Sequence, residues 1–425
     1  MAKETKGKGK KKDQPVTTPA ETPVIGWRIE AAEYAERVAR TRQVMEERKL
    51  DALVLFHPLR IAYLSGFFHI TTERPMAIVV THQGGLGALV PQLEQEHVAK
   101  SAGVDRVKVY PEYPTGGAKH PLYHLADLLT EMGVNTKGKR VGYDSNGHLD
   151  ANGYDGPDLT ELLDIGVKGV RARDIVDTLR YVKSDMELLF IRESCVWGNL
   201  AHRLMHQKLE LGRTEIEISS EASTEASRAM VAALGPGYQP LTNHWGSPAT
   251  VGFSAGANTF YPHGLSHAIG LRRGDILVTG SGADVGGYNS ELERTMIIGD
   301  PTPEFEKYFG LMMQLQQVAF DALKPGRTLS DVEADISRAF KDLGVADHQR
   351  HHTGHGIGLD FHEAPFIDKG DDTVLAERMC FTIEPGIYVP ALGGFRHSDT
   401  VVIRSFGAER LTFYPRDLES MTVLL

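Results

Sequence analysis

Short apolar runs alternate with amphipathic stretches over the first 180 residues. Residues 32–49 carry apolar side chains at helical spacing, which predicts a helix. Short apolar runs then predict strands at 52–56, 77–80, 86–91, 107–110 and 141–143, and 124–132 is helical in pattern. Because strands interleave with helices, we expect an α/β domain here.

A second pattern begins near residue 181. Ser184 can cap a helix, Glu187 stands at the partner position of a capping box, and apolar residues follow at helical spacing. Helices and strands then mix in a different order. The sequence therefore predicts three parts: a disordered lysine-rich tail over 1–25, an N-terminal domain over 26–180 and a C-terminal domain over 181–425.

The composition is that of a globular protein, with 41% apolar and 24% charged residues among 425. No apolar run approaches the roughly 18 residues of a membrane span. The two cysteines, Cys195 and Cys380, cannot build a disulfide framework, so we expect a reducing cytoplasm.

The net charge of −10 is distributed unevenly. Residues 1–15 hold six lysines and two acidic residues, a charge of +4, so the remainder carries −14. An acidic body argues against a nucleic-acid surface and favours neutral or cationic small ligands.

Residues whose side chains could take part in catalysis or metal binding concentrate in the second half of the chain. Four histidines lie within 351–362, in the run HHTGHGIGLDFHEAP, and include His355 and His362. In the segment GYNSELERT, strand alternation places Glu291 and Glu293 on one face. Buried carboxylates are costly unless they hold a cation or share a proton.

Two further segments complete the set. Glu384 interrupts the apolar strand MCFTIEPGIYV, and a strand over 393–403 follows across a glycine turn. His263 lies in a loop with the sequence YPHG. Taken alone, the loop histidine is a weak signal.

In their order along the chain these segments resemble the creatinase, aminopeptidase P and prolidase superfamily. The resemblance covers about residues 28–425 and rests on PHG, GY-S-E-L-E-R-T, GHGIG with HEAP, IEPGIY and FR-SDT. It implies an α/β protein: an N-terminal creatinase-type mixed αβ domain, followed by a C-terminal α+β catalytic domain of the pita-bread fold.

The resemblance also implies which residues would hold metal. Metallopeptidases of this superfamily bind two divalent ions through two aspartates, a histidine and two glutamates. The corresponding positions here are Gly280, Glu291, His355, Glu384 and Ser398. Since two ligands are lost, a bridged pair of metal ions is not expected.

These departures favour a creatinase-like, metal-independent hydrolase that cleaves a C–N bond of a small guanidinium or amidinium substrate. By this resemblance Glu293 and Glu384 would grip the cation and His263 would be the general acid and base. Tyr288, His355 and His362 would contact the substrate. Arg74, in Glu73-Arg74-Pro75, would reach the neighbouring active site of a homodimer. No cofactor is expected on this interpretation.

Other interpretations stay open at this point. An Xaa-Pro aminopeptidase or dipeptidase would hold one divalent metal, such as manganese or zinc, at Glu291, His355 and Glu384. A lyase acting on a small betaine-like substrate is more distant. A non-catalytic binding module is disfavoured, because a scaffold has no need for several buried ionisable groups.

Overall fold

The computed structural model describes residues 26–111, 119–147, 156–243 and 246–425. The predicted lysine-rich tail, 1–25, lies outside the described residues. No helix in the described ranges is both long enough and apolar enough to cross a membrane.

A six-stranded mixed sheet forms the centre of the first domain, in the order β4-β3-β2-β1-β5-β6. Its strands are β1 Ala52–Leu55, β2 Ala77–Thr81, β3 Leu86–Pro91, β4 Val104–Tyr110, β5 Arg140–Tyr143 and β6 Lys168–Arg171. Its helices are α1 Ala31–Glu47, α2 Pro58–Ser65, α3 Gln95–Val98, α4 Pro121–Glu131 and α5 Asp174–Tyr181.

The predicted strands and helices of this domain are confirmed. Helix α1 buries Tyr34, Val38 and Met45, the residues at helical spacing, and β1 to β3 are buried along their whole length. The apolar pattern did not predict β6, because its residues are half-buried or exposed.

The second domain begins at helix α6, Asp185–Gln207, and the predicted capping box is present. The hydroxyl of Ser184 accepts from the Glu187 N–H, and the Glu187 carboxylate accepts from the Ser184 N–H. The other oxygen of Glu187 accepts from the Tyr288 hydroxyl and lies 3.3 Å from Arg37 of α1. This buried contact joins the two domains.

A nine-stranded sheet carries the second domain. Its main path is β11-β10-β12-β15-β9-β8-β7, with β16 beside β15 and β17 beside β9. The strands are β7 Ala249–Ala255, β8 Ile276–Ala283, β9 Leu292–Ile298, β10 Gly354–Gly356, β11 Glu363–Ile367, β12 Cys380–Ile383, β15 Ser398–Arg404, β16 Gly407–Arg410 and β17 Thr422–Val423. A separate hairpin joins β13 Ile387–Val389 to β14 Gly393–Phe395.

Four helices accompany α6 in this domain: α7 Glu215–Leu234, α8 Pro303–Ala322, α9 Leu329–Asp342 and α10 Leu418–Met421. Three of them, α7 to α9, begin with a threonine cap, since Thr214, Thr302 and Thr328 each accept from a backbone N–H in the first turn.

The register of the sheet brings distant segments together. Glu293 of β9 lies opposite Gly280 of β8 on one side and Ser398 of β15 on the other. Strand β12 pairs with both β15 and β10, the strand that carries His355. The acidic segment, the histidine segment and the Glu384 segment therefore meet on one face of the sheet.

Candidate active site

His355 lies at the centre of a buried polar cluster. It is fully buried, and Glu291, Glu293 and Glu384 around it are each less than 9% exposed. Glycine flanks it on both sides because the neighbouring strands approach closely. A Cβ atom at Gly354 would lie 2.0 Å from the Thr382 carbonyl oxygen, a distance no side chain can adopt.

The two ring nitrogens of His355 are used differently. Nδ1 lies 2.9 Å from the Gly356 carbonyl oxygen, which fixes the orientation of the ring. Nε2 is buried and has no hydrogen-bond partner among the described residues. It lies 3.2 Å from an oxygen of Glu384 and 3.8 Å from an oxygen of Glu291. An unsatisfied ring nitrogen facing two carboxylates is the arrangement that a metal ion would complete.

Glu293 forms an ion pair with Arg396. Nε and Nη2 of Arg396 donate to its two carboxylate oxygens at 2.5 and 2.6 Å. Nη1 of the same arginine donates to the Tyr388 hydroxyl. The α-carbon of Gly280 faces this carboxylate, and a Cβ atom there would lie 3.6 Å from it. Glu293 thus fills space that a longer residue at 280 would need.

Ser398 takes part through its hydroxyl alone, which donates to Glu291 at 2.5 Å. The cluster therefore holds three carboxylates and one guanidinium. Arg396 pairs with both oxygens of Glu293 and also lies 3.8 Å from an oxygen of Glu384. Once deprotonated, Glu291 and His355 would join Glu384 as possible donors to one divalent ion.

The pKa values reflect this crowding. Burial, with the nearby carboxylates, raises the pKa of Glu291 to about 8. Burial alone would raise the pKa of Glu384, but His355 and Arg396 lower it to about 2. Burial would likewise lower the pKa of His355, yet Glu384 and Glu291 raise it to about 9. Without a metal ion, Glu291 and His355 each hold a proton at neutral pH.

His362 and His263 extend the site outward. The His362 ring stacks on His355 with 3.7 Å between centroids, and His362 has a ligand atom within 4.8 Å of the donor atoms of Glu291 and His355. Burial and the charge of His355 lower the pKa of His362 to about 4. His263 is exposed, and its charge acts on His362.

A cleft of about 530 Å³ lies between the domains and is lined by Asn289 and Phe361 on one side and by Phe68 and Thr71 of the first domain on the other. Phe361 stacks on His362 and lies 6.4 Å from the His355 ring, centroid to centroid. The cleft therefore adjoins the cluster at Phe361, although the cluster residues themselves do not line it.

Two of the predicted substrate-binding residues have other contacts. Tyr288 is buried in the domain junction, where its hydroxyl meets Glu187 and Arg37. Arg74 lies in the loop before β2, with Nη1 3.0 Å from Glu73. The roles assigned to His263, His355, His362, Glu293 and Glu384 all fall on residues in or beside the cluster.

Arg396 has no predicted role, although its contact with Glu293 changes the charge of the cluster. A signal is present in the sequence, since Arg396 stands in the largely apolar segment 393–403, where a buried arginine requires an acidic partner. The sequence does not show which acidic residue is the partner, because Arg396 and Glu293 are 103 positions apart.

The geometry can be compared with known proteins. Residues 190–405 match the family described as "Metallopeptidase family M24", and residues 37–182 match the "Creatinase/Prolidase N-terminal domain". The chain belongs to metallopeptidase family M24. This confirms the superfamily, the mixed α/β fold with its pita-bread catalytic domain, and the class of hydrolase.

Among family M24 proteins, several relatives match over nearly the whole chain. An Xaa-Pro dipeptidase of Pyrococcus furiosus is 28% identical, over 90% of this chain and 99% of the relative. A probable dipeptidase PepE of Mycobacterium tuberculosis is 30% identical, over 92% and 97%. The crystal structure of dipeptidase PepE from Mycobacterium ulcerans superposes with a TM-score of 0.78 at 29% identity, covering 94% of this chain and 100% of that one.

Two expectations are corrected by these findings. The prediction of a creatinase-like hydrolase of a guanidinium substrate is wrong, because the similarity to dipeptidases covers 90–94% of this chain. Arg396 explains the error: Glu293, assigned to grip a substrate cation, already holds a cation from its own chain. The expectation of no cofactor is also wrong, since the family is one of metallopeptidases and the described residues contain a carboxylate–histidine cluster of ligand dimensions.

The residues present fit one divalent ion. Glu291, His355 and Glu384 would hold it, since Nε2 of His355 lies 3.2 Å from Glu384 and 3.8 Å from Glu291. Oxygen and imidazole donors together suit manganese, zinc or cobalt. A bridged pair does not fit, because Gly280 offers no donor, Ser398 offers a hydroxyl already bonded to Glu291, and Arg396 occupies Glu293.

Proposed function

We propose that this protein is an Xaa-Pro dipeptidase that hydrolyses small peptides with one divalent metal ion. The observation that carries the proposal is the buried, unpartnered Nε2 of His355, placed between Glu384 and Glu291. The similarity to proteins named as dipeptidases supports the choice of substrate. A cleft of about 530 Å³ adjoins the cluster at Phe361, which stacks on His362.

When bound, the ion would lower the pKa of a water molecule and polarise the scissile carbonyl. The chain's own residues supply the remaining functions. Gly356 orients the His355 ring through Nδ1, and Ser398 orients Glu291. Arg396 keeps a fixed positive charge at the floor of the site without using a second ion.

Proton transfer to the departing nitrogen falls to the histidines at the mouth of the site. His362 has a pKa of about 4 and is therefore neutral at pH 7, so its ring can both donate and accept a hydrogen bond. His263 is exposed to solvent and follows Pro262, whose carbonyl oxygen accepts from Arg396 of the cluster. This pair links the reacting bond to bulk water.

The test is metal content together with hydrolysis of Xaa-Pro dipeptides and of matched dipeptides that lack proline. We expect manganese-stimulated cleavage of the Xaa-Pro bond, loss of activity with a chelator, and recovery on adding metal back. His355→Ala should abolish both metal retention and activity. His352→Gln is the matched control, because this nearby histidine is not among the residues whose donor atoms lie close enough together to hold a metal ion. Chelator-resistant turnover would refute the proposal.

We also propose a homodimer in which Arg74 reaches the partner's active site, and a cytoplasmic location. The location is supported by Cys195 and Cys380, which are both free and buried. The dimer is supported by the resemblance of Glu73-Arg74-Pro75 to the corresponding segment of creatinases. Molar mass in solution tests the dimer.

A further inference from the structure

A second cavity lies away from the carboxylate–histidine cluster. It encloses about 440 Å³ between the end of α8, the turn from β15 to β16, and Arg416. Three cationic side chains line it, those of Lys324, Arg410 and Arg416, against the single carboxylate of Asp321. None of its lining residues belongs to the proposed metal site.

One buried carboxylate, that of Asp399, faces Arg416 from the interior of the protein. Arg416 lies 3.6 Å from Oδ2 of Asp399, while Oδ1 accepts from Arg294 and from the Thr412 hydroxyl, so two guanidinium groups share this single negative charge. Arg416 Nη2 donates to the neutral amide oxygen of Gln316. Its Nε is buried and has no hydrogen-bond partner among the described residues.

Two guanidinium groups lie near the same aromatic ring, that of Phe320. The Cζ atoms of Arg416 and Arg410 lie 5.1 and 5.8 Å from the Phe320 ring centroid. The like charges of Arg410, Arg416 and Lys324 line one cavity, and a bound anion would reduce the repulsion among them. Burial lowers the pKa of Arg416 to about 10, with Arg410 adding to the effect and Asp399 opposing it.

We propose that this cavity binds a doubly charged tetrahedral oxyanion, a phosphate group held by Arg410, Arg416 and Lys324. Guanidinium groups pair with phosphate through forked hydrogen bonds, and the net lining charge of +2 matches its charge. The phosphate could be free or could belong to a monoester. A monoester would also contact the aromatic side chain of Phe406, which is 74% exposed at the rim.

The test is calorimetric titration of the full-length protein with inorganic phosphate, against chloride at equal ionic strength. We expect the binding of inorganic phosphate to approach saturation at a concentration of about 10 mM. Arg410→Gln and Lys324→Gln, both at exposed positions, should each weaken it about fivefold or more, the size of one charge-assisted contact. Asp321→Asn should tighten binding. Lys341→Gln, an exposed lysine outside the cavity, is the control for net charge.

Titration with phenyl phosphate distinguishes a phosphate monoester from free phosphate as the ligand. Tighter binding than inorganic phosphate points to a monoester, and equal binding points to the free ion. His355→Ala should leave the phosphate affinity unchanged, because the two sites share no residue. Absence of saturable binding, or equal weakening by Lys341→Gln and Lys324→Gln, would overturn the proposal.

Discussion

Arg396 holds both carboxylate oxygens of Glu293 through its Nε and Nη2 atoms. The contact is buried and joins strand β9 to the residue that directly follows β14. It places a permanent positive charge 3.8 Å from Glu384 and withdraws one carboxylate from metal binding. The number of metal ions that the site can hold follows from this pair.

We predict one divalent ion per chain. Glu293→Gln should leave the stoichiometry at one, because the side chain is not a ligand. Glu384→Gln should weaken binding by about 100-fold or more, beyond the 10–100-fold typical of a supporting residue. Manganese titration with metal analysis of the dialysed protein measures both. Two ions per chain, or a lower stoichiometry in Glu293→Gln, would contradict this assignment.

Metal affinity should rise with pH. Glu291 and His355 hold protons, with pKa values of about 8 and 9, and both must lose them to become ligands. Raising the pH toward these values removes the competing protons, so the affinity should increase by up to about tenfold per pH unit for each proton displaced. Calorimetry in buffers of different ionisation heat counts the protons released. An affinity independent of pH between 6 and 8 would show that neither group is a ligand.

Local pattern and register account for what the sequence could predict. The alternation of GYNSELERT correctly placed Glu291 and Glu293 on one face, and the glycines around His355 correctly indicated close approach. The error arose where the deciding contact is non-local. The resemblance implies that Gly280 and Ser398 replace two metal ligands. The structure shows in addition that Arg396 pairs with Glu293, opposite Gly280, and that Ser398 donates to Glu291.

The roles of Tyr288 and Arg396 show the same limit. The resemblance implies that Tyr288 contacts the substrate, and in the structure its hydroxyl donates to Glu187 of α6. Nothing in the local sequence distinguishes these two directions. Pairing of β9 with β15 determines the partner of Arg396, and strand pairing across a hundred residues is not encoded in a short motif.

Glu363 should be important for stability because it joins the domain linker to the catalytic sheet. Its oxygens bind Arg180 and Lys183, and all three side chains are buried. Glu363→Gln leaves two buried cations poorly compensated, which should cost about 3–5 kcal/mol in the free energy of unfolding. Glu409→Gln, in an ion pair about one-third exposed, should cost about 0–1 kcal/mol and serves as the control.

The cost of Glu363→Gln should depend on pH in a defined direction. Burial opposes ionisation of Glu363, but Arg180 and Lys183 hold its pKa below the ordinary 4.5. The stabilisation is therefore complete above about pH 4.5 and is lost as the pH falls through the lower folded-state pKa. Urea unfolding of both proteins between pH 7 and 4 should give a difference that narrows only at the acidic end. A constant difference would mean that packing, and not charge, explains the loss.

Arg74 offers a test of whether the active site is shared between subunits. If its side chain serves the partner's site, Arg74→Ala and His355→Ala subunits are each inactive as homodimers. In a mixed dimer the subunit with an intact His355 receives an intact Arg74 from its neighbour. Random exchange makes half of the dimers mixed, each with one complete site of two, so activity should return to about one quarter of wild type. Each variant refolded alone is the control. Mixtures that stay inactive would show that Arg74 acts within its own chain or has no part in the reaction.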